Sequence, residues 1–224
     1  MKIRLDLKIF ILIILFYFTR QIQIYSLLMI FVLLHEIGHM IAGILLGFKP
    51  SSISIMPIGM SIDFNIDTYE YNKRIKKGNR LNLKKIIIAL AGPATNLTIV
   101  LLSLILNTEH TEVIVYVNLL LAIFNLIPIY PLDGGRIIKN ILTIFVGKYK
   151  AIKFTNEISN VVMCILTMLA SILVLQYKNV FILLVLAYLW YLVLLQNKRC
   201  NLQLKLIEAV SNIREKELKD VTNV

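Results

Sequence analysis

Long apolar segments separated by short polar ones dominate the chain. A membrane-spanning helix requires about 20 predominantly apolar residues, and several segments reach or approach that length. The segments that we assign as spans are residues 9–18, 27–47, 86–106, 113–131, 159–175 and 181–195. The first is short, and extending it includes Arg20, whose side chain can snorkel to the interface. The pattern therefore predicts an all-α polytopic membrane protein with about six transmembrane helices.

A second pattern, in which polar and apolar residues alternate, follows the second span. It covers residues 52–64 and is divided by Pro57-Ile58-Gly59. Alternation with period two is typical of strands, and proline and glycine favour a turn between them. We expect a small membrane-associated β-hairpin at 52–64, followed by a basic cytosolic loop over 65–85.

The last span is followed by a polar segment with apolar residues at helical spacing. This spacing is typical of an amphipathic helix. We therefore expect one transmembrane domain over residues 1–196 and a short amphipathic cytosolic tail over residues 197–224.

Composition and charge agree with a membrane protein. Hydrophobic residues make up 58% of the chain, against about 45–50% in soluble domains. The net charge of +11 could indicate nucleic-acid binding, but the six-span topology puts all 24 lysines and arginines except Arg20 and Lys178 on one side. By the positive-inside rule that side is the cytosol. We therefore expect both termini in the cytosol and no nucleic-acid partner.

The second span contains the sequence His35-Glu36-Ile37-Gly38-His39. Residues four apart lie on one face of a helix, so the two imidazoles can bind one zinc ion. Glu36 lies on the adjoining face, where it can act as a general base on the hydrolytic water. The alternative is that all three side chains are buried and satisfied by neighbouring helices. Ionisable residues within a membrane span are expensive and usually functional, which favours a metal site.

A catalytic zinc site has three protein ligands and one open position. The best candidate for the third ligand is Asp133, which follows the broken end of the span at Pro128 and Pro131 and precedes Gly134-Gly135. Irregular backbone at membrane depth is tolerated where it lines a water-filled cavity. An ordinary interfacial turn at Asp133 is the other interpretation. A metalloprotease of another class could instead use Glu70 as the third ligand.

Asn125 lies within the same span, eight residues before Asp133. Its amide could bind the carbonyl oxygen of a substrate peptide or stabilise the developing oxyanion. A structural asparagine that bonds a neighbouring helix is the alternative.

These residues resemble a known family. His35-Glu36-Ile37-Gly38-His39, together with Asn125, Pro128 and Leu132-Asp133-Gly134, is similar to the site-2 protease family of intramembrane zinc metalloproteases. Ala91-Gly92-Pro93-Ala94-Thr95-Asn96 is similar to the Gly-Pro-x-x-Asn signature of that family. The size and predicted topology most resemble the stage IV sporulation protein FB subgroup, whose characterised members release a sporulation sigma factor from a membrane-tethered precursor.

The resemblance implies a function and a site. His35, His39 and Asp133 would hold one catalytic Zn²⁺, Glu36 would be the general base, and Asn125 would orient the substrate. The hairpin would pair with an extended substrate, with Ile53, Ile55, Pro57 and Gly59 as substrate-binding residues. Residues 1–196 would form the protease domain of a multi-pass protein of a bacterial cell membrane, with its active site opening to the cytosol.

The resemblance also implies partners. They would be a membrane-tethered protein substrate and inhibitory or regulatory membrane proteins. Two departures matter: Gly59 is followed by Met60 where the family often has a second glycine, and no nucleotide-sensing CBS domain is expected after the last span. A non-proteolytic metal transporter or sensor, and a catalytically inactive scaffold, are the other functional classes.

Overall fold

The computed structural model describes residues 2–5, 22–56, 59–65, 75–177 and 181–222. The predicted span at 9–18 lies outside these residues. Two units are distinguished by their internal contacts, Met1–Ile127 and Pro128–Val224, where the sequence suggested one domain over residues 1–196.

Among the described residues, three helices form the frame of the first unit. They are α1 (Ile22–Leu45), α2 (Ile75–Leu106) and α3 (Thr111–Leu126). Helix α3 ends before the predicted limit of its span at residue 131, because Pro128 lacks a backbone N–H and disfavours helical geometry in the residue before it. The helices are rich in exposed leucine and isoleucine, for example Leu101 and Ile105, as expected of surfaces that face lipid.

Helix α2 begins earlier than expected. The sequence predicted a basic loop over 65–85, whereas the chain is helical from Ile75 onward. Lysine, arginine and leucine all have good helix propensity, so the apolar span extends into its basic flank. Residues 66–74 lie outside the described part of the chain.

The first unit also contains a small sheet. Strand β2 (Lys49–Met56) pairs antiparallel with β3 (Gly59–Asn65) and parallel with β1 (Lys2–Leu5), so that β2 is the central strand. Strand β1 was not predicted, although Lys2-Ile3-Arg4-Leu5 alternates polar and apolar residues. Pro57 and Ile58, where we predicted the turn, lie outside the described residues, and a membrane-associated hairpin stays a prediction.

The second unit consists of α4 (Asp133–Val146), α5 (Lys148–Tyr177) and α6 (Phe181–Thr222). Asn197 Nδ2 of α6 donates to Asn160 Oδ1 of α5 at 3.1 Å. Helix α6 continues without a break past residue 196, because its polar second half contains neither glycine nor proline. The predicted amphipathic tail is therefore part of this helix and not a separate element.

Three helical segments among the described residues are long and apolar enough to cross a membrane: Ser26–Leu45, Gly78–Leu106 and Lys148–Gln176. Thr111–Leu126 is a shorter apolar helix. The chain is thus mainly helical, and its total of six spans stays a prediction.

Candidate metal centre

His35 and His39 lie on one face of α1, as their spacing predicted. Both side chains are 4% exposed, and their Nε2 atoms are 3.2 Å apart. The rings meet edge to face with their centroids 4.8 Å apart. Two imidazole nitrogens therefore converge on one point within a buried part of the helix.

A main-chain carbonyl orients His39. Its Nδ1 is 2.6 Å from the Ile88 oxygen on α2, and because a carbonyl can only accept, Nδ1 must carry the hydrogen. The neutral ring then has its lone pair on Nε2, the atom that faces His35. Metal-binding histidines are commonly held in this way by a bond from the second ring nitrogen.

Two glycines allow α1 and α2 to approach each other at this point. A Cβ atom on Gly92 would lie less than 3.0 Å from Nε2 of both histidines, and a Cβ atom on Gly38 would clash with Thr95 Oγ1. Thr95 Oγ1 in turn donates to the Ala91 carbonyl at 2.9 Å. Because Gly92 has no side chain, only its backbone lies beside the two imidazole nitrogens.

Asp133 is the first residue of α4 in the second unit and is 4% exposed. The helix N-terminus favours a carboxylate, and Arg136 Nη1 lies 3.6 Å from Asp133 Oδ1. Leu132 N donates to the Ile129 carbonyl at 2.8 Å. A Cβ atom on Gly135 would meet the backbone of residues 129 and 130, so glycine lets the preceding loop fold against the first turn of α4.

His35, His39 and Asp133 form a group of buried residues that could hold a metal ion. Two imidazoles and one carboxylate are a donor set that suits zinc with one position left open. A side chain at Gly92 would fill the space beside the imidazoles that an ion or a reactant would use.

Two other predicted site residues, Glu36 and Asn125, lie on α1 and α3. Glu36 is half-buried on α1. Asn125 is half-buried on α3, where its Nδ2 donates to the Leu121 carbonyl at 3.0 Å. Glu70, the rival third ligand, and Pro57 lie outside the described residues.

The predicted binding of substrate by Ile53 and Ile55 stays a prediction, but the structure describes their main-chain pairing. Both belong to β2, and both are paired on two sides, Ile53 with Ile3 and Ile62 and Ile55 with Leu5 and Met60. A central strand cannot accept a further strand, so these two residues are not available for backbone pairing with substrate. Gly59, in contrast, begins β3.

Ile88 and Gly92 were not predicted to contribute to the site. The Ile88 contribution is a main-chain oxygen, for which side-chain identity carries no signal. Gly92 lies in the Gly-Pro-x-x-Asn segment, and its position on the helix that faces the histidines was the available clue.

The apolar helices and the buried group of two histidines and one aspartate define the class, an integral membrane protein with a candidate metal centre. The model of Peptidase family M50 matches residues 23–110 and 107–170, and the chain belongs to that family.

Three curated relatives are similar in sequence. The chain is 31% identical over 147 residues to "Zinc metalloprotease MJ0392" of Methanocaldococcus jannaschii, which covers 62% of this chain and 39% of the relative. It is 26% identical to "Stage IV sporulation protein FB" of Bacillus subtilis, covering 50% and 37%. It is 30% identical to "Putative zinc metalloprotease sll0528" of Synechocystis, covering 50% and 29%. The matches thus span less than two fifths of each relative.

One solved structure has a similar fold. "Site-2 Protease from Methanocaldococcus jannaschii" superimposes with a TM-score of 0.63 at 24% identity, over 87% of this chain and 89% of that one.

Proposed function

We propose that the protein is an intramembrane zinc metalloprotease that hydrolyses a peptide bond in or near the membrane segment of a tethered substrate. The observation that carries this proposal is the buried pair of imidazole nitrogens, 3.2 Å apart on an apolar helix, with one ring oriented by Ile88. Zinc metalloprotease is also the description of two of the curated relatives.

His35, His39 and Asp133 would hold one Zn²⁺. When bound, the ion would act as a Lewis acid on the scissile carbonyl and lower the pKa of the hydrolytic water. Glu36, beside His35 in the sequence, would take a proton from the attacking water and give it to the leaving amine. One bond to the carbonyl carbon forms, the C–N bond breaks, and no oxidant or further reactant is required.

Asn125 is proposed as the residue that orients the substrate. One hydrogen of its Nδ2 is donated to the Leu121 carbonyl, and the second would donate to the carbonyl oxygen of the substrate or to the developing oxyanion. An extended substrate is required, since a helix hides its peptide bonds, and strand addition is a common means of binding such a chain. We assign this role to the outer edges of the sheet, with Gly59 at the start of β3.

The substrate would be a membrane-tethered protein. Likeness to the stage IV sporulation protein FB supports a tethered transcription-factor precursor, and a sporulation sigma factor is the specific candidate. The basic segments support an active site that opens to the cytosol of a bacterial cell, with other membrane proteins as inhibitors or regulators.

The experiment compares wild type with Glu36→Gln, co-expressed with tethered transcription-factor precursors. We expect Glu36→Gln to retain bound zinc and to lose cleavage, because the amide cannot accept a proton. Glu112→Gln, at an exposed position in the first turn of α3, is the matched control and should cleave normally. Full cleavage by Glu36→Gln would contradict the mechanism. Zinc transport without cleavage by the wild type would favour a metal transporter or sensor instead.

A further inference from the structure

Helices α2 and α3 are antiparallel neighbours joined by a short turn, and one hydrogen bond shows their register. Thr111 Oγ1 on α3 donates to the Ser103 carbonyl on α2 at 3.3 Å. Seven residues along a helix is about two turns, or about 10.5 Å. Counting seven residues from this bond along each helix arrives at Asn96 on α2 and Asn118 on α3, which therefore lie at one level of the helix pair.

Both asparagines are completely buried, each with 0% exposure. Asn118 Nδ2 donates to the Ile114 carbonyl of its own helix at 2.8 Å, while its Oδ1 has no hydrogen-bond partner. Asn96 has no partner for either Nδ2 or Oδ1. Buried polar atoms without partners are costly, and more so in a bilayer, where lipid supplies none.

Three amide atoms at one level, comprising one donor group and two acceptors, suit a single small polar molecule. Water can donate two hydrogen bonds and accept two, and buried waters typically make about three bonds to otherwise unsatisfied groups. Here a water could accept from Asn96 Nδ2 and donate to Asn118 Oδ1 and Asn96 Oδ1.

The location connects this level to the metal centre. Asn96 follows Gly92 by four residues, which is about one helical turn or about 6 Å along α2. Gly92 is the residue of α2 that faces the two imidazole Nε2 atoms. A water bound here would lie in the buried interior of the helix pair, about one helical turn from the residue that faces the imidazoles.

We propose that Asn96 and Asn118 bind a water molecule between α2 and α3, and that this site supplies water to the metal centre. The supply role rests on the proposed function, whereas the water site itself does not. Asn96 and Asn118 are positioning residues, since neither is assigned a contact with the reacting atoms. The competing explanation is that the two amides bond each other directly and serve only to hold the helices together.

The test uses the full chain with four replacements: Asn96→Leu, Asn118→Leu, the double variant and Asn118→Ser. Thr98→Val is the matched control, because Thr98 is exposed on α2 and its Oγ1 donates to the Ala94 carbonyl of the same helix. Cleavage of a tethered substrate, bound zinc and the thermal unfolding midpoint in detergent are measured for each variant.

Each single leucine variant should lower cleavage about tenfold or more while retaining zinc, and should lower the midpoint by about 2–4 °C, since the remaining amide is left unsatisfied. The double variant should recover the midpoint but not the cleavage, and Asn118→Ser, which keeps a hydroxyl, should cleave better than Asn118→Leu. A high-resolution structure of the zinc-loaded protein should show an ordered water between the two amides.

Recovery of both midpoint and cleavage in the double variant would overturn the proposal, as would a direct amide–amide bond in that structure. Failure of the proposed function is distinguishable, because a wild-type chain that cleaves no substrate would leave the midpoint pattern and the ordered water to decide whether the site exists.

Discussion

Gly92→Ala is the most informative single change that the metal centre offers. A Cβ atom at this position would lie less than 3.0 Å from Nε2 of both His35 and His39, whereas ordinary contacts begin at 3.4 Å. The imidazoles would have to move by about 1 Å, a displacement that can cost about 100-fold in rate when it affects reacting groups. The His39 ring cannot move freely, because its Nδ1 donates to the Ile88 carbonyl.

We therefore expect Gly92→Ala to fold and to insert into membranes, but to lower zinc affinity by about 10–100-fold, the range found when the groups that orient metal ligands are altered. Zinc affinity is measured by competition with a chelator, and cleavage is measured on the same preparation. Ala94→Val places a larger side chain on an exposed position of the same helix and should change neither. Wild-type zinc affinity in Gly92→Ala would refute the close approach of α2 to the imidazoles.

Three further replacements address other parts of the molecule. Asp133→Asn should lower bound zinc, measured by metal analysis of the purified protein, whereas loss of zinc only on replacing Glu70 would favour the rival ligand set. Met163→Ala, at a fully buried position of α5, should destabilise the protein by about 2–5 kcal/mol in detergent unfolding, whereas Met168→Ala, 68% exposed on the same helix, should have little effect. Phe64→Ala should lower cleavage with zinc retained, because the ring packs at Gly43 on α1. Unchanged cleavage would show that the sheet does not position the substrate.

The apolar part of each helix in the first unit could be predicted, because lipid imposes a long apolar segment on each. The end of α2 at Leu106 matches the hydropathy limit, and the two histidines share one face because helical geometry requires it. The start of α2 was missed, since a basic flank can be helical or irregular and local propensity alone does not decide between them.

Other features depend on contacts between residues far apart in sequence. The pairing of Lys2–Leu5 with β2 joins segments about 50 residues apart. Lys2-Ile3-Arg4-Leu5 alternates polar and apolar residues, but so short an alternation does not indicate which distant strand it pairs with. The carbonyl of Ile88 has no side-chain signature. Asn118 is one of two asparagines in the apolar helix α3, and its significance is evident only once Asn96 is known to lie at the same level.

The sheet shows how much of a functional assignment depends on strand pairing that a local pattern does not specify. Alternation predicted strands near Ile53 and Ile55, but it could not indicate that β1 occupies the second edge of β2. Strand addition requires unpaired N–H and C=O groups along an edge. In the described sheet, an incoming substrate strand could therefore pair with the outer edge of β1 or of β3. Of these, β3 packs against the helix that bears His39, since the Phe64 ring lies at Gly43, one turn after that candidate ligand. An extended chain added to β3 would therefore be positioned relative to the candidate metal ligands by a packed aromatic ring.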